Sequence, residues 1–202
     1  GGAPMPAATI VRLRQTLPNL GLNNCYGSTE TTSPATILPR GHIAHQSSSV
    51  GTPVRCADIV VMDDDGREVP YGESGEIWIA GPMVVPGYWD NPAATEEAFF
   101  GGYWRSGDVG SIDADGYLQV FDRKKDMINR GGYKIYCIEV ESVLSHHPGV
   151  VESAIVGAPD PVLGERAVAV VVPHDPPPPE ADLKAFCAER LSDYKVPDRV
   201  VF

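Results

Sequence analysis

The chain of 202 residues carries a formal net charge of −11, from 27 acidic and 16 basic side chains, and 43% of its residues are apolar. That size and apolar share suffice for one large or two modest globular domains. The negative balance argues against a protein built to grip a polyphosphate backbone, which needs clustered Lys and Arg, but it leaves room for a nucleotide, because a metal ion and backbone NH groups can offset a few phosphate charges.

In chain order, "PMPAATIVRLRQTL" spaces Ile10, Leu13 and Leu17 for a short amphipathic helix that stops at Pro18. "GLNNCYG" reads as a short buried strand running into a glycine turn. From Val50 onward the texture is strands and tight turns. Asp65-Gly66 in "ADIVVMDDDGREVP" and Asp115-Gly116 in "SIDADGYLQVF" are hairpin signals, because glycine tolerates positive φ. "GEIWIAG" is a third apolar strand, and "DNPAATEEAF" offers Asn91 as a helix N-cap with Pro92 at the first helical position. A mainly antiparallel β unit with one helix is predicted here. After "FDRKKD" the pattern becomes helix ("IEVESVLSHHP"), strand ("VVESAIVGAP"), strand ("RAVAVVVP") and helix ("EADLKAFCAERL"), with Pro173 to Asp182 as a stiff connection. The predicted fold class is α+β, with residues 1–123 holding a β-rich, barrel-like subdomain and residues 124–202 a small α+β domain.

No apolar run reaches the roughly 20 residues of a bilayer-crossing helix, and the amino terminus lacks a basic-then-apolar signal pattern. Cys25, Cys56, Cys137 and Cys187 lie far apart with no CxxC pair, which suits reduced and mostly packed thiols in a cytoplasmic protein. His42 and His45 lack a third ligand and read as solvated loop histidines, whereas His146 and His147 suit the polar end of a helix.

Several segments carry groups suited to a nucleotide. In "YGSTE", Tyr26 offers a ring to a flat base and Gly27 lets backbone come close. Ser28 and Thr29 offer hydroxyls to phosphate oxygens, and Glu30 is a hard oxygen ligand for Mg2+. The same five residues also suit a polar strand-to-loop turn with no ligand. "GGAP", with Gly2, Ala3 and Pro4, exposes peptide groups in a loop. Asp108 in "WRSGDVG" can accept from both hydroxyls of a ribose, or simply cap a hairpin. Arg123 can donate to ribose or phosphate oxygens, and Gly131-Gly132 leads to two more potential contacts, Tyr133 and Lys134, although so charged a stretch also suits a solvated turn.

In order and spacing, "GGAP", "YGSTE", "GEIWIAGPMVVPGYW", "WRSGDVGSIDADGYLQVFDRKKDMINRGGYKI", "IEVE" and "DYKVP" together resemble the carboxyl-terminal portion of the adenylate-forming enzymes, among them acyl-CoA synthetases, aryl-acid CoA ligases, luciferases and peptide-synthetase adenylation domains. The resemblance runs along essentially the whole chain. It implies that Gly2, Ala3 and Pro4 border the adenine of ATP or AMP, Tyr26 stacks on it, Thr29 contacts phosphate and Glu30 helps hold Mg2+, while Asp108 and Arg123 grip the ribose. Lys125 matches the family's hinge, and Gly131 and Gly132 would line the path by which the thiol of coenzyme A enters. Two half-reactions are implied. A carboxylate attacks the α-phosphate of ATP, giving an acyl-adenylate and pyrophosphate; a thiol then displaces AMP.

Three parts of the family pattern have no counterpart here: the Ser/Thr/Gly-rich phosphate loop, most of the carboxylic-acid pocket, and a lysine-bearing segment beyond "YKVPDRVVF". Lys195 belongs to the preceding "YKVP" element. The chain thus resembles one edge of the large domain plus most of the small one. "NRGGYKIYCIEVE" is closer to fatty-acyl and related CoA ligases, while Asn23, Asn24 and Cys25 at the pocket edge suit a medium-chain or an aryl acid equally. A non-catalytic binding or assembly module is the alternative reading. A piece of this kind would leave the apolar faces of "LNNCYG" and "GEIWIAG" partly bare, favouring self-association. The 202 residues alone are expected not to catalyse adenylation, so a pyrophosphate-release assay on the purified chain with ATP, Mg2+ and carboxylic acids should give no carboxylate-dependent signal.

Overall fold

A computed structural model of the protein describes residues 7–42 and 49–202. Gly2, Ala3, Pro4 and His45 lie outside the described residues. Two compact units divide between Val120 and Phe121. The division falls ahead of Arg123, because the end of its strand packs with the start of the second unit: the Phe121 ring lies 5.2 Å from that of Tyr136, and the Asp122 carboxylate bonds the backbone of Cys137.

The first unit opens with α1 (Ala7–Thr16), which buries Ile10 against Leu38 and leaves Leu17 half exposed beyond its end. Its strands are β1 (Cys25–Tyr26), β2 (Thr36–Ile37), β3 (Ser49–Pro53), β4 (Asp58–Met62), β5 (Gly75–Ala80), β6 (Phe99–Phe100), β7 (Tyr103–Ile112) and the first half of β8 (Leu118–Arg123), whose residues from Phe121 on are counted with the second unit, with α2 (Pro92–Ala98) ahead of β6. They form one sheet in the order β1-β2-β3-β8-β7-β5-β4, with β6 attached to β7. Among the described residues no pairing joins β1 to β4, so the β-rich subdomain is an open sheet and not a closed barrel. As predicted, Asn91 caps α2: its side chain accepts from the Ala94 amide at 3.1 Å, with Pro92 in the first turn.

Both Asp-Gly signals are turns of the same build. Asp63 Oδ1 accepts from the amides of Asp65 and Arg67 at 2.9 and 2.8 Å, and Asp113 Oδ1 accepts from those of Asp115 and Tyr117 at 3.0 and 2.8 Å. Gly66 and Gly116 supply the positive φ, +76° and +83°. The first Asp of each D-x-D-G run thus does as much as the glycine.

β5 is covered along its length. Ile77 and Ile79 are fully buried among Ile59, Trp104 and Leu118, and Trp78 is nearly so on the other face. The expectation of a partly bare "GEIWIAG" face is therefore wrong: Ile77 and Ile79 sit in the apolar cluster, and the Trp78 ring is covered by the edge of Phe100, 6.1 Å away, and by the Arg105 guanidinium at 5.3 Å. "GLNNCYG" contributes only the two residues of β1, with Cys25 exposed and Tyr26 half-buried.

The second unit contains β9 (Ile128–Arg130), β10 (Tyr133–Ile135), α3 (Cys137–Leu144), β11 (Val150–Asp160), β12 (Gly164–Pro173), α4 (Glu180–Ala188), a 3-10 turn (Asp193–Lys195) and β13 (Arg199–Val201). Its sheet runs β10-β9-β12-β11, with β13 parallel to β12. Alternate residues of β12, Ala167, Ala169 and Val171, face Val140 and Leu144 of α3 and Leu183 and Cys187 of α4, while Val170 and Val172 point away and are exposed. Period-2 strands and 3.6-period helices thus build one apolar layer. No helix among the described residues is long and apolar enough to cross a membrane.

Two of the four thiols are packed, fewer than expected. Cys137 and Cys187 are buried, and burial pushes them up to about 12 and about 11, whereas Cys25 and Cys56 sit at the surface. Since the thiolate is the reactive species, titration of the native chain with a disulfide reagent at neutral pH should show two promptly reacting thiols, with the other two appearing only in denaturant.

Candidate functional site

The "YGSTE" stretch leaves β1 and becomes a tight loop. Its centre is a residue the sequence reading passed over, Thr31, which is fully buried. Thr31 Oγ1 accepts from the Ser28 amide at 3.0 Å and donates to the Ser28 carbonyl at 3.1 Å, and that carbonyl also receives the Ser33 amide at 3.2 Å. Closing the loop leaves no room at Gly27: a Cβ there would lie 2.9 Å from the Ala35 amide nitrogen and 3.1 Å from Pro34 Cα. The close approach that Gly27 permits within the chain is therefore to its own backbone. The loop presents Thr29 at the surface.

The same loop is fastened to the segment after β5. Val85 donates its amide to the Glu30 carbonyl at 2.8 Å, and Thr32 Oγ1 donates to the Met83 carbonyl at 2.9 Å. Glu30 Oε1 accepts from the Tyr88 hydroxyl at 2.9 Å, which itself receives Trp104 Nε1–H at 3.4 Å. Burial and the neighbouring Glu30 raise the Tyr88 hydroxyl above its usual range, the Trp104 bond partly opposing them, so Tyr88 remains a proton donor to the carboxylate. Tyr88 and Trp104 are further members of the site that sequence alone left unassigned, since a tyrosine far from Glu30 along the chain gives no local sign of the contact.

Asp108 reaches the site through an irregularity in β7. Opposite β5, Glu76 pairs with Val109 and Trp78 with Arg105, so Ser106, Gly107 and Asp108 together face Ile77. Gly107 takes φ +71°, and Ser106 Oγ donates to the Ile77 carbonyl at 2.7 Å while accepting the Asp108 amide at 3.0 Å. Bulges of this kind re-aim a side chain. Here the carboxylate meets β1: the Tyr26 hydroxyl donates to Asp108 Oδ2 at 2.6 Å, across 82 positions of sequence. Tyr26 is held from the other side by its carbonyl, which accepts the Ala35 amide at 2.8 Å.

Arg123, Lys125, Gly131 and Gly132 belong to the second unit. Arg123 ends β8, and its carbonyl accepts the amides of Asp126 and Met127, both at 3.0 Å, closing a turn that exposes Lys125. Gly131 and Gly132 take φ +59° and +92° as the two-residue loop between β9 and β10, which such a hairpin requires. The turn that carries Lys125 is tied to α3. Tyr136 gives that helix no side-chain cap, and Asp122 substitutes from a distance, its Oδ2 accepting the Cys137 amide at 2.5 Å and its Oδ1 the Arg123 amide at 2.8 Å. Lys195 bonds both oxygens of Glu139, at 2.8 and 2.6 Å. His42 Nδ1 lies 3.0 Å from the Tyr117 hydroxyl, and among the described residues no group of three metal-ligating side chains gathers.

Residues 1–89 match the model of the AMP-binding enzyme family, and residues 139–202 that of the AMP-binding enzyme C-terminal domain. The chain belongs to the AMP-binding, adenylate-forming enzymes. Over its whole length it is 44% identical to a feruloyl-CoA synthase of Amycolatopsis sp and 39% identical to a long-chain-fatty-acid–CoA ligase of Yersinia pestis, spanning 41% and 36% of those proteins. It superposes on o-succinylbenzoate CoA synthetase (MenE) of Bacillus subtilis, solved with an acyl-adenylate intermediate, with a TM-score of 0.91 and 36% identity, covering 100% of this chain and 41% of that one. The amide bond synthetase McbA of Marinactinospora thermotolerans gives 0.89, also at 36% identity, covering 100% of this chain and 41% of that one. The chain thus spans about two-fifths of the length of the relatives it matches.

Two consequences for this chain can be measured. Gly27→Ala must displace backbone at Ala35 and should cost about 1–3 kcal/mol, read as a lower urea midpoint with an unchanged slope. Asp122 is buried, and burial raises its pKa above the ordinary value, with the amides of Arg123, Cys137 and Ile138 partly opposing. A raised carboxylate contributes stability that is complete below its unfolded pKa and is lost as pH rises through the folded one. Asp122→Asn does not titrate, so its stability relative to the parent chain should increase as pH is raised from about 4; denaturant melts across pH test the sign.

Proposed function

We propose that the chain supplies part of the nucleotide site of an ATP-dependent carboxylic acid:CoA ligase acting on fatty or related acids. The observation that carries this reading is the Tyr26–Asp108 hydrogen bond of 2.6 Å, which joins "YGSTE" to "SGD" within one unit. A ring that can lie on a base and a carboxylate that can accept ribose hydroxyls are thereby held together. In this reading the Tyr26 ring stacks on adenine, Asp108 accepts from the ribose, and the exposed Thr29 hydroxyl donates to a phosphate oxygen. Glu30 is a hard oxygen donor at the edge of the same loop, held in direction by Tyr88 at 2.9 Å, and this donor chemistry fits Mg2+. Bound there, Mg2+ would neutralise phosphate charge. Arg123 donates to ribose, Lys125 is the pivot of the small domain, and the Gly131-Gly132 hairpin loop borders the thiol's route.

In the whole protein, an acid's carboxylate oxygen attacks the α-phosphorus of ATP and pyrophosphate leaves; the thiol of coenzyme A then attacks the acyl carbon and AMP leaves. The fold positions groups and contributes fixed charge. An aryl acid is the second reading for the substrate, favoured by the 44% identity to a feruloyl-CoA synthase.

Isothermal titration of the chain with AMP tests the proposal. Binding is expected and should weaken at least about tenfold in Asp108→Ala, the loss of a charge-assisted hydrogen-bonding group. Absence of binding, or binding indifferent to that substitution, would instead support a binding or assembly module without a nucleotide site.

A further inference from the structure

Between β12 and α4 runs "HDPPPPEAD", residues 174–182, a segment to which the nucleotide reading gives no role. Its four consecutive prolines dictate their own geometry. Each ring holds φ near −65°, and Pro176, Pro177 and Pro178 each precede a proline, which drives ψ into the extended range. Pro179 completes the series at φ −60° and ψ 145°. These are the angles of a polyproline II helix. We propose that residues 176–179 form a docking ridge for a partner protein that carries an aromatic-lined groove with a basic rim, a groove of the kind that reads polyproline II segments. The ridge lies in the second unit and owes nothing to the reading of Tyr26 and Asp108.

The segment is fastened along its length. The His174 amide donates to the Gly149 carbonyl at 2.9 Å, and the Pro179 carbonyl accepts the Asp182 amide at 3.1 Å in the first turn of α4. Pro178 sits so closely over Gly149 that a Cβ there would lie 3.0 Å from Pro178 Cγ and 3.3 Å from His147 Cε1. The His147 ring in turn meets Phe186 of α4 edge-on at 5.0 Å. Polyproline II has three residues per turn and rises about 3.1 Å per residue. With Pro178 turned to the fold, Pro176 and Pro179 share another edge, about 9 Å apart. The exposures agree: Pro178 is half-buried, whereas Pro176, Pro177 and Pro179 are exposed. A connection that had only to be stiff would need the ring constraint on φ and nothing more; this one also presents its rings to solvent at a regular spacing. A segment ordered before it binds loses little conformational entropy on association. The carbonyls of such a helix are not used in internal hydrogen bonds, so they can accept from the indole NH and phenol OH groups of an aromatic groove. Charge selects the rim. From residue 167 to residue 183 the sequence contains Asp175, Glu180 and Asp182 and no Lys or Arg. Glu180 is paired with Lys184 at 2.8 Å, while Asp175 and Asp182 are exposed at the two ends of the ridge, where Lys and Arg of a partner would meet them.

The test is calorimetric titration of the 202-residue chain with a purified EVH1 domain and a purified WW domain, each chosen for basic residues around its aromatic groove, with the folding of every variant checked by circular dichroism. Saturable binding to at least one of the two domains is expected, and it should weaken as salt is raised. Pro176→Ala and Pro179→Ala should each lower the affinity about three- to tenfold, and the double variant should lose measurable binding. Asp175→Lys should also lower it, because it places a cation against the basic rim. Val172→Ala, exposed on β12 outside the ridge, should leave it within about twofold. Should Pro179→Ala disturb the start of α4, Pro176→Ala, which lies outside that helix, decides. No binding by either domain, or binding indifferent to Pro176→Ala, overturns the proposal. Binding that needs Pro176 but is unmoved or strengthened by Asp175→Lys contradicts the basic rim and with it the proposed class of partner.

Discussion

The hydrogen bond from the Tyr26 hydroxyl to Asp108 Oδ2, 2.6 Å long, is where two distant pieces of sequence become one site. A phenol donating to an ionised carboxylate is a strong contact, but it forms only if both backbones already stand in the right places. On one side that placement comes from the Thr31-centred loop and the packing at Gly27, which deliver the chain from β1 to β2 without slack. On the other it comes from the extra residues of β7 between Arg105 and Val109, which lift Asp108 out of the ladder. The apolar layer of Ile77, Ile79 and Leu118 holds the sheet from which both emerge. Core, irregularity and site thus form one causal sequence.

The second unit solves a different problem. Its turn at residues 124–126 is charged and exposed, and exposed charge alone gives a turn little definition. Asp122 supplies definition from beneath, a buried carboxylate that accepts the Arg123 amide and caps α3 in place of Tyr136. Burial makes ionising that carboxylate unfavourable. The fold accepts that cost and gains a fixed junction between strand, turn and helix.

Much of this architecture was legible in the sequence because it depends on local chemistry. The helices α1 to α4 follow from 3.6-residue spacing, from the Asn91-Pro92 start signal and from stop signals, and the turns at Gly66 and Gly116 follow from Asp-Gly pairs. Glu30, Asp108 and Tyr26 could be singled out as candidates by residue type and by their likeness to the adenylate-forming enzymes. What stayed hidden was non-local. Nothing near Thr31 reveals that it is the buried centre of its loop, and nothing near Tyr88 reveals Glu30 58 positions away. The burial of β5 was misjudged for the same reason: the side chains that cover it, among them Leu118 and Trp104 against the isoleucines and Phe100 and Arg105 against Trp78, come from other strands. The cysteines divided evenly between core and surface, because only Cys137 and Cys187 lie on the inner faces of helices.

The account stands or falls on whether Tyr26 and Asp108 address a single adenosine. The most direct measurement is a crystal structure of the chain with AMP. The account predicts the adenine lying flat on the Tyr26 ring and both ribose hydroxyls within hydrogen-bonding distance of an Asp108 carboxylate that still accepts from Tyr26. AMP bound elsewhere, or bound with the Tyr26–Asp108 contact broken, would contradict it.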